Sequence, residues 1–378
     1  MAPFSDESRD TSDLMASVSR IGLSPIGLRE IVALAGVTSV VFIVTILAFR
    51  DYHSTVSHFG DSSAYTDIAS AIGHWDFRGL QIKQFWGYSY AMAAVSFVTC
   101  LSAQGSLLAV SFASSFLAIA LAYRIWGGWV AGLFVVLNFD WIQRSFLGGS
   151  EPLAVALIFG ALLLVRKDRY VSASLLAALS TIVRPLGVCC LLGIGIVLLY
   201  RREYKKLGLA VLIGAVTGGL YVLPLARYFG DPLATVHSYQ GAQVPLFGFP
   251  FYAIIKGTIL YPAPWTNVAL DFGWIALVLA GILAMSLDSK FRDYASNNPV
   301  EVLFAALYLL AVFCYNYPVF ARSNFARFAI PALPIIFVAL SRWVPQDRRI
   351  LWGLGIVSPV LAAASAPGIQ NVAHRLLR

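Results

Sequence analysis

Two carboxylates and a few arginines stand out in a chain that has little charge elsewhere. Asp61 follows Gly60 and opens Asp61-Ser62-Ser63-Ala64-Tyr65-Thr66-Asp67-Ile68-Ala69, where Ala64, Ile68, Ala71 and Ile72 recur at helical spacing. A carboxylate there reads in two ways. It is an N-cap accepting from first-turn N–H groups, or a general base for a hydroxyl acceptor at a membrane boundary. Glu151 stands alone in Gly149-Ser150-Glu151-Pro152. An acid beside a proline is an ordinary helix start; the alternative is a second carboxylate, binding a metal or a sugar near Asp61. Arg184 lies in Val183-Arg184-Pro185-Leu186-Gly187, and Arg322 and Arg327 flank Asn324. A guanidinium matches a phosphate in charge and in its paired donors. Singly, each arginine also reads as a side chain snorkelling to lipid headgroups.

The elements that must position these groups are apolar. The chain has 378 residues, 59% hydrophobic and 12% charged, with a mean hydropathy of +0.76. A soluble domain carries about 25% charged residues. That composition excludes a soluble enzyme, a disordered chain and a nucleic-acid reader, in spite of a net charge of +8. It describes an all-α polytopic membrane protein. Cys100, Cys189, Cys190 and Cys314 all lie in apolar stretches without metal or disulfide spacing and read as packing residues. His58, His74 and His237 lack metal-ligand spacing as well.

Residues 1–30 read as a disordered cytoplasmic tail, and 31–373 as a single integral membrane domain. Ile31–Phe49 is long enough to span and has no cleavage site after it, so it reads as a signal anchor. The first outer loop, 50–87, holds Asp61. Tyr88–Tyr123 then runs without a charge, enough for two passes broken near Ser102–Gly105, and Ile125–Phe139 follows. Further spans are expected at Pro152–Val165, Tyr170–Val183, Pro185–Tyr200, Leu207–Ala226, Phe272–Leu287, Val302–Ala321, Phe328–Ser341 and Ile350–Ala373. The total is about eleven or twelve transmembrane or membrane-embedded helices, with a short amphipathic helix in the first outer loop.

Basic clusters at 166–169, 201–206 and 342–349 belong on the cytoplasmic side. Loop 50–87 sums to −1 over Arg50, Arg78 and Lys83 against Asp51, Asp61, Asp67 and Asp76, and belongs outside. For this topology to hold, one of the three apolar elements between 88 and 140 must be re-entrant or interfacial, and Ile125–Phe139 is the shortest. Arg184, Arg227, Lys256, Arg322 and Arg327 then fall on the non-cytoplasmic side, against the positive-inside bias. The second large outer loop, 227–267, is rich in aromatic residues and proline, as interfacial segments are.

The Asp61–Ala69 segment resembles the D-x-x-x-Y-x-x-I-A stretch after the first span of GT-C type glycosyltransferases. Gly87-Tyr88-Ser89-Tyr90 is similar to their P-x-Y-P-like entry without the prolines. Ser150-Glu151-Pro152-Leu153 and Val183-Arg184-Pro185-Leu186-Gly187 are similar to the S-E and R-P/N-x-G elements of bacterial members, themselves related to the second-mannose transferase of GPI synthesis. Gly230-Asp231-Pro232-Leu233-Ala234 with Gln240 looks like a further element, although Gln243 stands where a Trp is common.

The resemblance implies transfer of a sugar, a hexose such as mannose, from a polyprenyl-phosphate donor to a lipid, glycan or protein acceptor at the outer face, with inversion. It makes Asp61 and Glu151 the catalytic carboxylates and gives Arg184 a phosphate role. Tyr65, Asp67, Arg322 and Arg327 join it as substrate-binding candidates. The expected partners are the lipid-linked donor and membrane lipid, with no nucleic acid. A divalent cofactor and the oligomeric state are left open. A bacterial plasma membrane is expected rather than endoplasmic reticulum, because the chain is compact and has no retention signal. The rival readings are a transporter or flippase of lipid-linked saccharides and a non-catalytic accessory subunit. Against the transporter, no internal repeat is visible and the ionisable residues collect at span ends.

Overall fold

The computed structural model describes residues 26–49, 51–77, 80, 84–240 and 245–366. Most of the expected tail, the loop charges Arg50, Arg78 and Lys83, position Gln243 and the end of the last expected span lie outside the described residues. Among the described residues there is no β-strand, only a single bridge between Phe247 and Tyr315. Four helices are long and apolar enough to cross a membrane: Leu28–Phe49, Ala103–Trp126, Tyr204–Phe229 and Trp265–Leu287. Two sharply bent pairs raise the number to six. Gly128–Val136 meets Phe139–Leu147 at 75°, and Ser289–Asn297 meets Pro299–Cys314 at 106°. Shorter apolar helices such as Tyr170–Val183 and Val188–Tyr200 bury one face in the bundle and expose the other, with Leu175, Leu192 and Ile196 outward.

Tyr204–Phe229 is only 22% buried and presents Leu209, Val211, Leu212, Val216, Leu220 and Leu223 outward. A soluble protein does not expose such a stripe; this one faces lipid. The protein is therefore an all-α, multi-pass membrane protein.

The basic clusters meet at one end. Arg201 donates to the Tyr170 hydroxyl at 2.8 Å and lies 3.8 Å from Asp168. Arg166 pairs with Glu301 at 2.5 Å, Arg342 pairs with Asp288 at 3.0 Å, and Arg348 lies 3.5 Å from Glu30. Asp61, Glu151 and Arg184 gather at the other end.

Of the three apolar elements between 88 and 140, which the sequence alone left equivalent, Gly87–Thr99 is the one with both ends on the Asp61 side. Its 13 residues make about 20 Å of helix. Its first turn packs against the backbone of Ile182 and Val183, and the Tyr88 hydroxyl donates to the Leu107 carbonyl at 2.8 Å. The next helix also starts on the Asp61 side, where Gln104 reaches Ser57 at 3.1 Å. Ile125–Phe139 instead divides into the end of Ala103–Trp126 and the first half of the 75° bent pair, whose apolar side chains are buried in protein. Counting apolar length could not distinguish a short leg buried in protein from a short leg in the interface.

Helix lengths also place the site in depth. Tyr204–Phe229 starts at the basic end and packs along Tyr170–Val183, but has 26 residues against 14. At 1.5 Å per residue it runs on about 18 Å past Val183. Arg184 and Glu151, at the ends of short helices, therefore lie in a recess below the tops of the long ones.

Candidate functional site

Glu151 is the centre of the recess. It opens helix Glu151–Arg166, where Pro152 takes a first-turn position whose N–H would go unused. Its side chain is 3% exposed. Arg184 Nη1 donates to Oε1 at 2.6 Å, and Arg327 Nε donates to the same oxygen. Arg184 also reaches Ser150 Oγ at 3.2 Å, and Ser150 Oγ shares a 3.0 Å hydrogen bond with the Tyr65 hydroxyl. Burial pushes the Tyr65 phenol up to about 12, so it stays protonated at physiological pH.

Asp61 faces this cluster from the amphipathic helix Ser62–His74. It holds the N-cap position, yet its side chain makes no capping bond. The carboxylate turns inward instead: Oδ2 lies 3.5 Å from Arg327 Nη2, and Oδ1 accepts from Gln84 Nε2 at 3.4 Å. Arg327 thus joins the exposed carboxylate to the buried one, with Asp61 39% and Glu151 3% exposed. The helix is pinned by Ser89 Oγ donating to the Tyr65 carbonyl and by edge-on contact of the Tyr65 and Tyr88 rings. Tyr88 in turn shares a 2.5 Å bond with Ser111, which accepts from the Gly149 N–H two residues before Glu151.

Asp67 and Arg322 do not join the cluster. Asp67 is exposed, on the face of its helix opposite Tyr65 and Ile68. Arg322 pairs with Asp271 at 3.1 Å and reaches the Tyr261 carbonyl at 3.5 Å, tying the second outer loop to the bundle. Arg227 and Lys256 are exposed, the latter 5.5 Å from the Tyr252 ring centroid. In the Gly230–Ala234 element, His237 Nδ1 and Asp231 Oδ2 are 2.7 Å apart, and that bond holds the carboxyl below its usual range. Among the described residues no group of three or more His, Cys, Asp or Glu side chains is placed to hold a metal ion.

Three residues of the site are not signalled by sequence: Arg144, Gln84 and Asn138. Arg144 sits on helix Phe139–Leu147 with its Nε 4.0 Å from Glu151 Oε1. Asn138, 1% exposed, makes the break in that bent span. Its Oδ1 accepts from the Trp141 N–H at 2.9 Å, and its Nδ2 donates to the Ala326 carbonyl at 3.0 Å. One side chain therefore fixes both the helix carrying Arg144 and the segment carrying Arg327. Asn138→Ala leaves two buried backbone groups unpaired and is expected to cost about 1–3 kcal/mol per group lost, read as a lower unfolding temperature in detergent.

The helical bundle thus carries an amphipathic outer helix and a charged cluster at its inner edge. The solved structure of ArnT from Cupriavidus metallidurans bound to undecaprenyl phosphate matches it with a TM-score of 0.54 and 13% identity, over 93% of this chain and 64% of that one. The apo state of the same protein matches with a TM-score of 0.45 and 12% identity, over 89% and 61%. The first likeness shows the fold. The chain spans less than two thirds of the length of the protein it matches. No protein-family model and no curated protein matches the sequence.

Proposed function

We propose that the protein is a membrane glycosyltransferase. It transfers a sugar, a hexose such as mannose, from a polyprenyl-phosphate donor to an acceptor hydroxyl at the non-cytoplasmic face of a bacterial plasma membrane. One observation carries the reading: a half-exposed carboxylate, Asp61, stands 3.5 Å from Arg327, one of the buried guanidiniums gathered on Glu151. That arrangement has one group able to take a proton and others able to meet a phosphate. The fold likeness supports the donor class, since the matched ArnT structure holds undecaprenyl phosphate.

In this reading Asp61 accepts the proton of the acceptor hydroxyl as its oxygen attacks the anomeric carbon. The carbon–oxygen bond to the phosphate breaks on the opposite face, and its electron pair leaves with the lipid phosphate. The configuration at carbon inverts. Positive charge fixed in the recess stabilises the charge growing on the leaving group without reorganisation during the reaction. Glu151, engaged by Arg184 and Arg327 and almost fully buried, serves to position the arginines, and Tyr65 supports it through Ser150. Arg322 acts outside this chemistry, holding the second outer loop.

The test is transfer from a radiolabelled polyprenyl-phosphate hexose to a membrane extract by purified wild type and Asp61→Asn. Loss of a general base costs on the order of 100-fold or more, and the variant should keep its fold, because Arg327 retains Glu151. Equal transfer by both would reduce Asp61 to an ion-pair partner. Donor binding by both proteins with transfer by neither would favour a transporter of lipid-linked saccharides.

A further inference from the structure

Two of the three guanidiniums around Glu151 are engaged. Arg184 donates to Glu151 and Ser150, and Arg327 donates to Glu151 and pairs with Asp61. Arg144 differs. Its side chain is 9% exposed, yet among the described residues it donates no hydrogen bond. Its Nε is buried without a hydrogen-bond partner, 4.0 Å from Glu151 Oε1, and Asp140, one turn earlier on the same helix, acts on it as a neighbouring charge. It is held by shape. The Phe59 ring lies 4.5 Å beneath it, a cation–π contact, and Gly60 allows its close approach. A Cβ on Gly60 would fall 2.6 Å from Arg144 Nη1, and Gly60 has φ +52°, where a side chain is strained.

A buried guanidinium with its donors unused is costly unless something completes it. The unused donors point to what that is. Arg184 and Arg327 spend theirs on Glu151, Ser150 and Asp61, whereas Arg144 feels Glu151, Asp140 and Asp61 as neighbouring charges and donates to none of them. We infer that Arg144 is the group that binds the substrate's phosphate, through its forked Nη donors, next to the Gly60–Asp61 backbone. Arg184 and Arg327 then serve to hold the two carboxylates. A forked pair of donors matches two oxygens of a phosphodiester, the form in which a lipid phosphate carries a sugar. The inference rests on the proposed transfer reaction for the identity of the anion.

The test is binding to the full chain in detergent, with farnesyl phosphate as probe and farnesol as its neutral twin. Wild type is expected to prefer the phosphate at least 10-fold. Arg144→Ala should bring that preference below about 3-fold, leave farnesol affinity unchanged, and recover part of the preference when guanidinium ion is added. Gly60→Ala, which displaces the side chain but keeps its charge, should also weaken the phosphate alone, so the test survives if Arg144→Ala does not fold. A folded Arg144→Ala that keeps the preference overturns the assignment and leaves the transferase reading intact. A wild type with no preference for the phosphate overturns both. Equal competition by inorganic phosphate or phosphatidylglycerol would mean a general anion site and would overturn the assignment to the donor.

Discussion

Glu151→Gln is expected to lower stability by about 3–5 kcal/mol, the usual cost of stranding a buried charge by removing its partner, and to cut transfer about 100-fold. Gln keeps the size and shape of the side chain and removes only the charge. Arg184 and Arg327 would then face each other and Arg144 with only Asp61 and Asp140 left to offset them. The rate falls because misplacing the arginines by about 1 Å is enough to lose that factor. Glu151→Asp, shorter by one methylene, should fall between wild type and the amide. The decisive measurement is a double-variant cycle on unfolding in detergent. Arg184→Gln in the Glu151→Gln background should recover part of the loss, since it removes one stranded charge. Unfolding of Glu151→Gln within about 0.5 kcal/mol of wild type, the level of an ordinary surface change, would show that the cluster is not held by this carboxylate.

The architecture was legible because apolar length and basic clusters obey strong physical rules. The three clusters at 166–169, 201–206 and 342–349 do meet at one end, joined through Tyr170, Glu301 and Asp288. The number of full-length spans was not legible. A helix buried among protein neighbours needs no minimum apolar length, so Tyr170–Val183 and Gly87–Thr99 have near-equal lengths and different roles. The first runs between the ends of the bundle; the second stays at one.

Much of the charged site was legible for a related reason. A lone charge in an apolar chain has few ways to be stable, so Asp61, Glu151, Arg184 and Arg327 drew notice, and the fold brings these four together. Arg144 follows Asp140 by four residues, the spacing of an ordinary helix-surface pair, and nothing in the sequence shows that its donors stay unused beside Glu151. Gln84 and Asn138 carry no charge, and nothing in their spacing sets them apart from ordinary polar residues at helix ends. Asp67 and Arg322 drew notice as charges near the right segments. Only the facing of a helix and the position of Asp271 place them elsewhere.

Glu301→Gln is the second large effect, and it should separate stability from catalysis. At the basic end Glu301 is 3% exposed and accepts from Arg166 Nε at 2.5 Å, from Trp126 Nε1 at 2.9 Å and from the Tyr294 hydroxyl. Arg166 also donates to the Ile125 carbonyl at 2.6 Å, so this carboxylate joins four segments of chain. Breaking the pair should again cost about 3–5 kcal/mol. Replacing both partners, Arg166→Met with Glu301→Met, removes the stranded charge and should restore much of the loss. Arg166 and Glu151 lie at opposite ends of the same 16-residue helix, about 24 Å apart. Transfer per folded molecule by Glu301→Gln should therefore stay within about threefold of wild type, whereas Glu151→Gln loses both fold stability and rate. A Glu301→Gln protein that remains folded and loses transfer as completely as Glu151→Gln would mean that the two ends are coupled through that helix, and the site could no longer be treated as assembled by its own contacts.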